Sequence, residues 1–266
     1  MKPPLLNLVI SDTHCGSDYG LLPEHVIMDD RRVLGHGSNQ FLKWMWSRFE
    51  DMTQRFNDVR GTDPYILTLG GDLIEGIHHG SKEVVAAKFE EHLAIAKAAL
   101  RPLVAGACKV VTVRGTECHT HDFERIFCKD MRIDPPGDFK QYHVHGCLVD
   151  VRHHMPVTSR VHLESGALSI VMANARANML RNSHPIPRVF LRGHRHCVGD
   201  YCDGESMIAV NGAWQGLTRH GSRVVPDAIT RPSAYLLDWR HSPKGDLPAI
   251  HRFVYKVPYK IHTLTA

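Results

Sequence analysis

A chain of 266 residues with 43% hydrophobic and 23% charged residues is long enough to bury one sizeable core, and this balance excludes a disordered or fibrous class. No run of about 18 apolar residues occurs, and the opening Met1-Lys-Pro-Pro lacks a long apolar leader, so neither a membrane span nor secretion is indicated and a cytoplasmic location is expected. The formal charge of +4, spread without a long basic run, permits anionic substrates without demanding nucleic acid.

The first predicted element is a short apolar strand within Leu8-Val-Ile-Ser-Asp-Thr-His14, which opens onto a carboxylate and an imidazole and then the breaker pair Gly16-Ser17. Residues 15–37 read as a long loop, either a solvated connector or a segment facing substrate. Ser38 reads as an N-cap for a helix over 39–59, in which Phe41, Leu42, Met45, Phe49, Met52 and Phe56 recur at helical spacing and form a core stripe. Asp63-Pro64 turns the chain into Tyr65-Ile-Leu-Thr-Leu-Gly-Gly-Asp72, a second strand that ends in glycine and a carboxylate. Glu75, His78 and His79 lie in the loop beyond it, and a helix over 82–104 follows with Val85, Phe89, Leu93, Ala96 and Leu100 on one face.

The third strand run is Lys109-Val-Val-Thr-Val-Arg-Gly-Thr-Glu-Cys-His119, followed by a short helix over 121–129 and the break Asp134-Pro-Pro-Gly137. Gly146-Cys-Leu-Val-Asp-Val-Arg-His-His154 reads as a strand ending in histidine, and a helix is expected over 165–181. Arg188-Val-Phe-Leu-Arg-Gly-His-Arg-His196 is one more strand ending in glycine and imidazoles. Strands over 206–210, 234–239 and 250–257 complete the chain, with no second constellation of chemically active residues. Strand, loop, helix, strand is the pattern of a parallel sheet with covered faces, so one domain spanning 1–266 is expected, with these strand ends along one edge.

A histidine satisfied by a core hydrogen bond, or two polar residues in an ordinary turn, explains any one of these strand ends. Together, Asp12-x-His14, Gly71-Asp72, Gly115 with its cluster, and Gly193-His-x-His196 repeat one signature in a chain holding 20 histidines. Neutral imidazole is a common ligand for divalent metals, so the clustering points to a metal centre. Seven cysteines, an odd number with no Cys-x-x-Cys pair, fit reduced thiols. Cys15, Cys118 and Cys197 each follow a candidate ligand position and read as buried thiols or auxiliary ligands.

The ordered set from Leu8 to His196 resembles the calcineurin-like metallophosphoesterases, whose motifs run Asp-x-His, Gly-Asp, Gly-Asn-His, a lone His and Gly-His-x-His. The resemblance implies an α/β fold, a four-layer α/β/β/α sandwich of two mixed sheets flanked by helices. It implies two metal ions, Asp12, His14 and His196 holding one, His153 and His194 the other, with Asp72 bridging them. His153 takes the lone-His position, with His154 as the alternative. The third motif departs from the family: aligned without a gap, Thr116 replaces Asn and Glu117 replaces His, whereas a small slip makes Glu117 a metal ligand and His119 the group acting on the leaving oxygen. The slipped reading is preferred on chemical grounds.

Mixed carboxylate and imidazole ligation suits manganese, iron, zinc or nickel, with manganese or iron favoured. Arg114, Arg192 and Arg195 sit inside motifs, and Arg114, Arg195, His78 and His79 are candidate substrate contacts. The implied activity is dinuclear hydrolysis of phosphate esters, with a bridging water as nucleophile and phosphodiesters favoured over monoesters. A DNA or RNA nuclease acting on nucleotides or nucleic acid, and a non-catalytic scaffold on the same fold, are the alternatives.

Overall fold

The computed structural model describes residues 2–77, 82–120, 122–155, 164–224 and 230–258. Its central strand, β1 (Leu6–Ile10), is buried at every position because both of its faces are covered. Leu6, Leu8 and Ile10 face one core and Val9 another, the alternation a strand imposes. Parallel to β1 run β4 (Tyr65–Leu69) and then β5 (Lys109–Thr112), while β11 (Ser233–Asp238) and β12 (Ala249–Val254) extend the sheet antiparallel on its other side.

The second sheet has the order β6-β7-β8-β10-β9, formed by β6 (Phe139–Val144), β7 (Cys147–Arg152), β8 (Val189–Arg192), β10 (Met207–Val210) and β9 (Gly199–Cys202). Its middle three strands are parallel and its two edges antiparallel. Val9, Ile66, Val111, Tyr235 and Leu237 of the first sheet pack against Val149, Val151, Val189, Leu191 and Ala209 of the second. Within this apolar layer, Asn7 donates to Tyr142 Oη at 2.7 Å and Thr68 Oγ1 donates to Asn7 Oδ1 at 2.9 Å, so the buried polar groups satisfy one another.

Helices cover the outer faces. Helix α1 (Gln40–Arg60) buries Leu42, Met45, Phe49, Met52 and Phe56 against the first sheet, each contributing roughly 1.5–3 kcal/mol of transfer free energy. Its N-cap is Asn39, one residue later than the expected Ser38: Asn39 Oδ1 accepts the N–H groups of Phe41 and Leu42 at 3.0 and 3.2 Å. Helix α2 (Phe89–Gly106) lies on the same side, and α5 (Glu164–Arg181) packs Leu168 and Met172 against Phe190, Ile208 and Val210 of the second sheet. The expected four layers are present.

Helix α2 starts seven residues later than the predicted start at residue 82. Residues 83–85 instead lie alongside the loop after β1, with Asp18 N–H donating to Glu83 O at 3.0 Å and Val85 N–H to Gly16 O at 2.9 Å. The β-branched pair Val84-Val85 favours that extended strap over a helical turn. The 15–37 loop contains a small antiparallel hairpin, β2 (Val26–Ile27) with β3 (Val33–Leu34). Two short helices, α3 (Glu117–Thr120) and α4 (Phe123–Met131), follow β5, and α6 (Arg219–Val224) precedes β11. Among the described residues no helix is long and apolar enough to cross a membrane.

Candidate metal centre

Strands β1, β4, β5, β7 and β8 all release their chains at the same edge of the two sheets, and the candidate ligands sit on the residues just beyond. Asp12, His14, Asp72, His194 and His196 have φ values of 54°, 42°, 50°, 72° and 55°, in the left-handed region that side chains other than glycine disfavour. Each such residue costs on the order of 1–3 kcal/mol, and the surrounding backbone holds it there. Asp12, His14 and Cys15 donate their N–H groups to the carbonyls of Gly71, Asp72 and Leu73 at 2.9, 3.0 and 3.1 Å, which locks the loop after β1 to the loop after β4. Gly193 N–H donates to His153 O at 3.0 Å and Trp214 N–H to Asp12 O at 2.9 Å.

The glycines of the motifs permit this crowding. A Cβ on Gly115 would collide with Asp72 Oδ1 and the Asp72 backbone nitrogen, and one on Gly193 would collide with Ser11 Oγ and Asp12 Oδ2. Glycine before the ligand therefore lets one strand end approach the side chain of another.

Asp12, His14 and His196 form one group whose ligand atoms all lie within 4.8 Å of one another. His14 Nε2 and His196 Nε2 face each other at 3.1 Å, and His196 Nε2 is 3.6 Å from Asp12 Oδ1. On the far side of its ring, His14 Nδ1 meets Glu75 Oε2 at 2.8 Å, which places the proton on Nδ1 and the lone pair on Nε2. Burial alone would depress His14, but its hydrogen bond to Glu75 and the Glu75 charge raise its pKa.

Asp72, His153, His194 and Thr116 occupy the adjoining space. His153 Nε2 is 3.0 Å from Asp72 Oδ2, while its Nδ1–H donates to Gly70 O at 2.7 Å. Burial opposes the charge on His153, yet Asp72 and Asp12 outweigh it and lift the imidazole to about 10. The same interaction overcomes burial at Asp72 and lowers its pKa, whereas at Asp12 burial prevails and raises it. Burial and the His153 charge push His194 down to about 4. Asp12, Asp72 and His153 themselves form a group of ligand atoms within 4.8 Å, so the two regions are continuous.

Six predicted ligands are thus brought to one place: Asp12, His14, Asp72, His153, His194 and His196. Glu117 is not among them. Its side chain is exposed and belongs to none of the potential ligand groups among the described residues. Thr116 holds the position instead, because the chain leaves β5 without a slip: Thr116 N–H donates to Asp72 Oδ1 at 2.6 Å, and Thr116 Oγ1 lies 3.1 Å from Asp72 Oδ2 and 3.1 Å from His194 Nδ1. The expected slipped alignment is corrected on this point.

His119 is beside the first group, its ring edge-on to His14 at 4.9 Å between centroids and its Nδ1 2.8 Å from Glu75 O. Arg114 is exposed and paired with Asp138 at 2.9 Å, so its guanidinium is engaged away from the centre. Arg192 is buried in the second sheet in an ion pair with Asp150 at 2.8 Å and has a structural place. Arg195 is half-buried and lies in the chain between the candidate ligands His194 and His196. His78 and His79 lie outside the described residues. Cys15 is buried, and burial pushes its thiol up to about 12; Cys118 and Cys197 are half-buried, and no cysteine joins a ligand group among the described residues.

Sequence reasoning missed two supports. Gln215 Nε2 donates to Glu75 Oε2 at 2.7 Å and to Ser17 Oγ at 3.1 Å, which anchors the carboxylate that orients His14. Glu124, buried on the first turn of α4, accepts Gly115 N–H at 2.7 Å and Leu73 N–H at 3.4 Å, joining the loops that carry Asp72 and Thr116. Burial, reinforced by the Asp72 charge, pushes Glu124 up to about 8. Glu75 was legible as a neighbour of the strand end, but Gln215 and Glu124 carry no local signal.

Two mixed five-stranded sheets lie between helices, and Asp-x-His, Gly-Asp and Gly-His-x-His converge at one edge, the arrangement that the resemblance to calcineurin-like metallophosphoesterases implies. No protein-family model matches the chain, and no curated protein matches it significantly. Among solved structures, an archaeal phosphodiesterase aligns at 12% identity over 94% of this chain and 99% of its own, with a TM-score of 0.47. The Escherichia coli phosphoesterase YfcE aligns at 13% identity over 88% of each chain with a TM-score of 0.45. Wild-type Vps29 from Entamoeba histolytica, complexed with zinc, aligns at 12% identity over 94% of this chain and 98% of its own with a TM-score of 0.41. Likenesses this distant leave the chemistry of this chain to its own side chains.

Proposed function

We propose that this chain is a metal-dependent phosphoesterase that hydrolyses phosphodiesters in preference to phosphomonoesters, with nucleotides or nucleic acid as the substrate class. The observation that supports this reading is the continuity of two donor groups, Asp12–His14–His196 and Asp72 with His153 and His194, through the shared Asp12–Asp72–His153 cluster. Carboxylate and imidazole donors fit two first-row divalent cations, manganese or iron foremost and zinc or nickel next. Cations held there supply Lewis acidity toward a phosphoryl oxygen and lower the pKa of water.

The remaining work falls to the chain. Glu75 and Gly70 O fix the proton-bearing nitrogens of His14 and His153, so each presents its Nε2 lone pair inward once its extra proton has left. Asp72 stands between the groups, positioned by the Thr116 N–H. His119 Nδ1–H is held by Glu75 O, which makes Nε2 the nitrogen that donates a proton to the leaving oxygen. Arg192 and Arg114 are engaged by Asp150 and Asp138, so neither supplies the extra cationic charge that a dianionic monoester needs beyond a monoanionic diester. A non-catalytic scaffold is the second reading, and the Thr116-Glu117 departure from Asn-His favours it.

Hydrolysis of a bis-aryl phosphate diester and its matching monoester tests the proposal, with protein stripped of metal and refilled in turn with manganese, iron, zinc and nickel. A faster, metal-dependent diester reaction is expected. A faster monoester reaction makes the protein a phosphatase, and metal binding without turnover of either selects the scaffold.

A further inference from the structure

We propose that His154 is a metal ligand, completing a three-imidazole cation position of His153, His154 and His194 beside Asp72; this rests on the metal-dependent reading above. Among Asp72, His153 and His194 the place facing them is taken by the neutral Thr116 hydroxyl, at 3.1 Å from Asp72 Oδ2, 3.3 Å from His153 Nε2 and 3.1 Å from His194 Nδ1. A neutral hydroxyl is a weak donor for a first-row divalent cation, so the second position is one donor short. His154 supplies it. Its ring nitrogen and those of His153 and His194 lie within 4.8 Å of one another, close to the spacing of about 3–4 Å that nitrogens take around an ion bound at about 2.0–2.1 Å.

His154 directly follows His153, where the chain has left β7, so the two adjacent imidazoles emerge at the same edge. His153 is buried and fixed by Gly70 O, whereas His154 is exposed and stacks on His194 with centroids 4.8 Å apart and planes 18° from parallel. Near-parallel rings cannot both aim in-plane lone pairs at one ion. Ligation therefore turns the exposed His154 ring out of the stack. The position then has three nitrogens and one carboxylate, more imidazole than the Asp12–His14–His196 position offers.

Metal-free wild type, His154→Ala and His154→Ala/Thr116→Asn proteins are titrated with Co²⁺, followed by visible absorption, and with Zn²⁺, followed by calorimetry. Wild type takes up two equivalents. His154→Ala weakens the second by at least about tenfold, since loss of an outer-shell partner alone costs roughly 10–100-fold, and leaves the first unchanged. Thr116→Asn in that background restores the second equivalent by placing an amide oxygen where Thr116 stands. Unchanged thermal unfolding of the metal-free variants shows that the fold is intact. Two equivalents bound equally well by His154→Ala overturn the role of His154 while leaving the metal-dependent reading in place; a wild-type protein that binds no metal overturns both.

Discussion

His14 Nδ1 lies 2.8 Å from Glu75 Oε2, and that one contact decides which nitrogen of His14 faces the candidate centre. Both side chains are buried, and Gln215 donates to the same carboxylate oxygen at 2.7 Å. A carboxylate behind a ligand imidazole fixes its tautomer and increases its basicity. Glu75→Ala is therefore expected to weaken the first metal equivalent by roughly 10–100-fold. Calorimetric titration with Zn²⁺ measures this, and an unchanged affinity removes the orienting role.

The place of His119 beside His14 leads to a kinetic prediction. Its Nδ1 is tied to Glu75 O at 2.8 Å, so a proton exchanged with substrate passes through Nε2. His119→Ala is expected to slow esters with poor alkyl leaving groups by roughly 10²–10⁴-fold, while activated aryl esters lose far less because they depart without a proton. Equal losses across a leaving-group series contradict this assignment.

The His153–Asp72 pair makes the metal-free fold sensitive to pH. His153 rises from 6.5 to about 10 on folding, so the pair's contribution is complete below pH 6.5 and is lost as pH rises through about 10. Metal binding demands the neutral imidazole and displaces that proton. The Tm of metal-free protein is expected to fall between those two values. Saturating metal should reverse the trend, because metal affinity grows as the proton leaves. Thermal unfolding against pH, with and without Zn²⁺, separates the two behaviours.

Glu124 is the buried tie between the loops after β4 and β5, accepting N–H groups from Leu73 and Gly115. Glu124→Ala leaves both donors without this acceptor, at about 1–3 kcal/mol each. Glu124→Gln keeps an acceptor for Gly115 and is expected to recover at least half of that loss in urea denaturation. If alanine and glutamine variants are equally stable, the tie does not hold the loops.

The periodicity of α1, the apolar runs of β1, β4 and β8, and the glycine-ligand signature at their ends were all legible because each is a local pattern. Leu42, Met45 and Phe49 declare one helix face, and Asp12-x-His14 and His194-x-His196 declare strand ends wherever they occur. Strand β6 was not legible, since its edge position alternates Lys140, Gln141 and His143 with buried Tyr142 and Val144 and so dilutes the apolar run. The 82–88 segment was misread as helix because its pairing partner, Gly16 and Ser17, is distant in the chain.

The third motif shows the division most clearly. Sequence chemistry preferred Glu117, a stronger ligand than threonine, but a ligand must also be aimed, and aim is set by how β5 ends against β4. Gly115 packs against Asp72 so closely that the next residue, Thr116, falls beside it, and Glu117 is carried out to solvent. The identity and order of the candidate ligand residue types were therefore determined by the sequence itself. Which of them share a point, which nitrogen each presents, and the roles of Glu75, Gln215 and Glu124 behind them were decided by contacts between strand ends that only the packed sheets create.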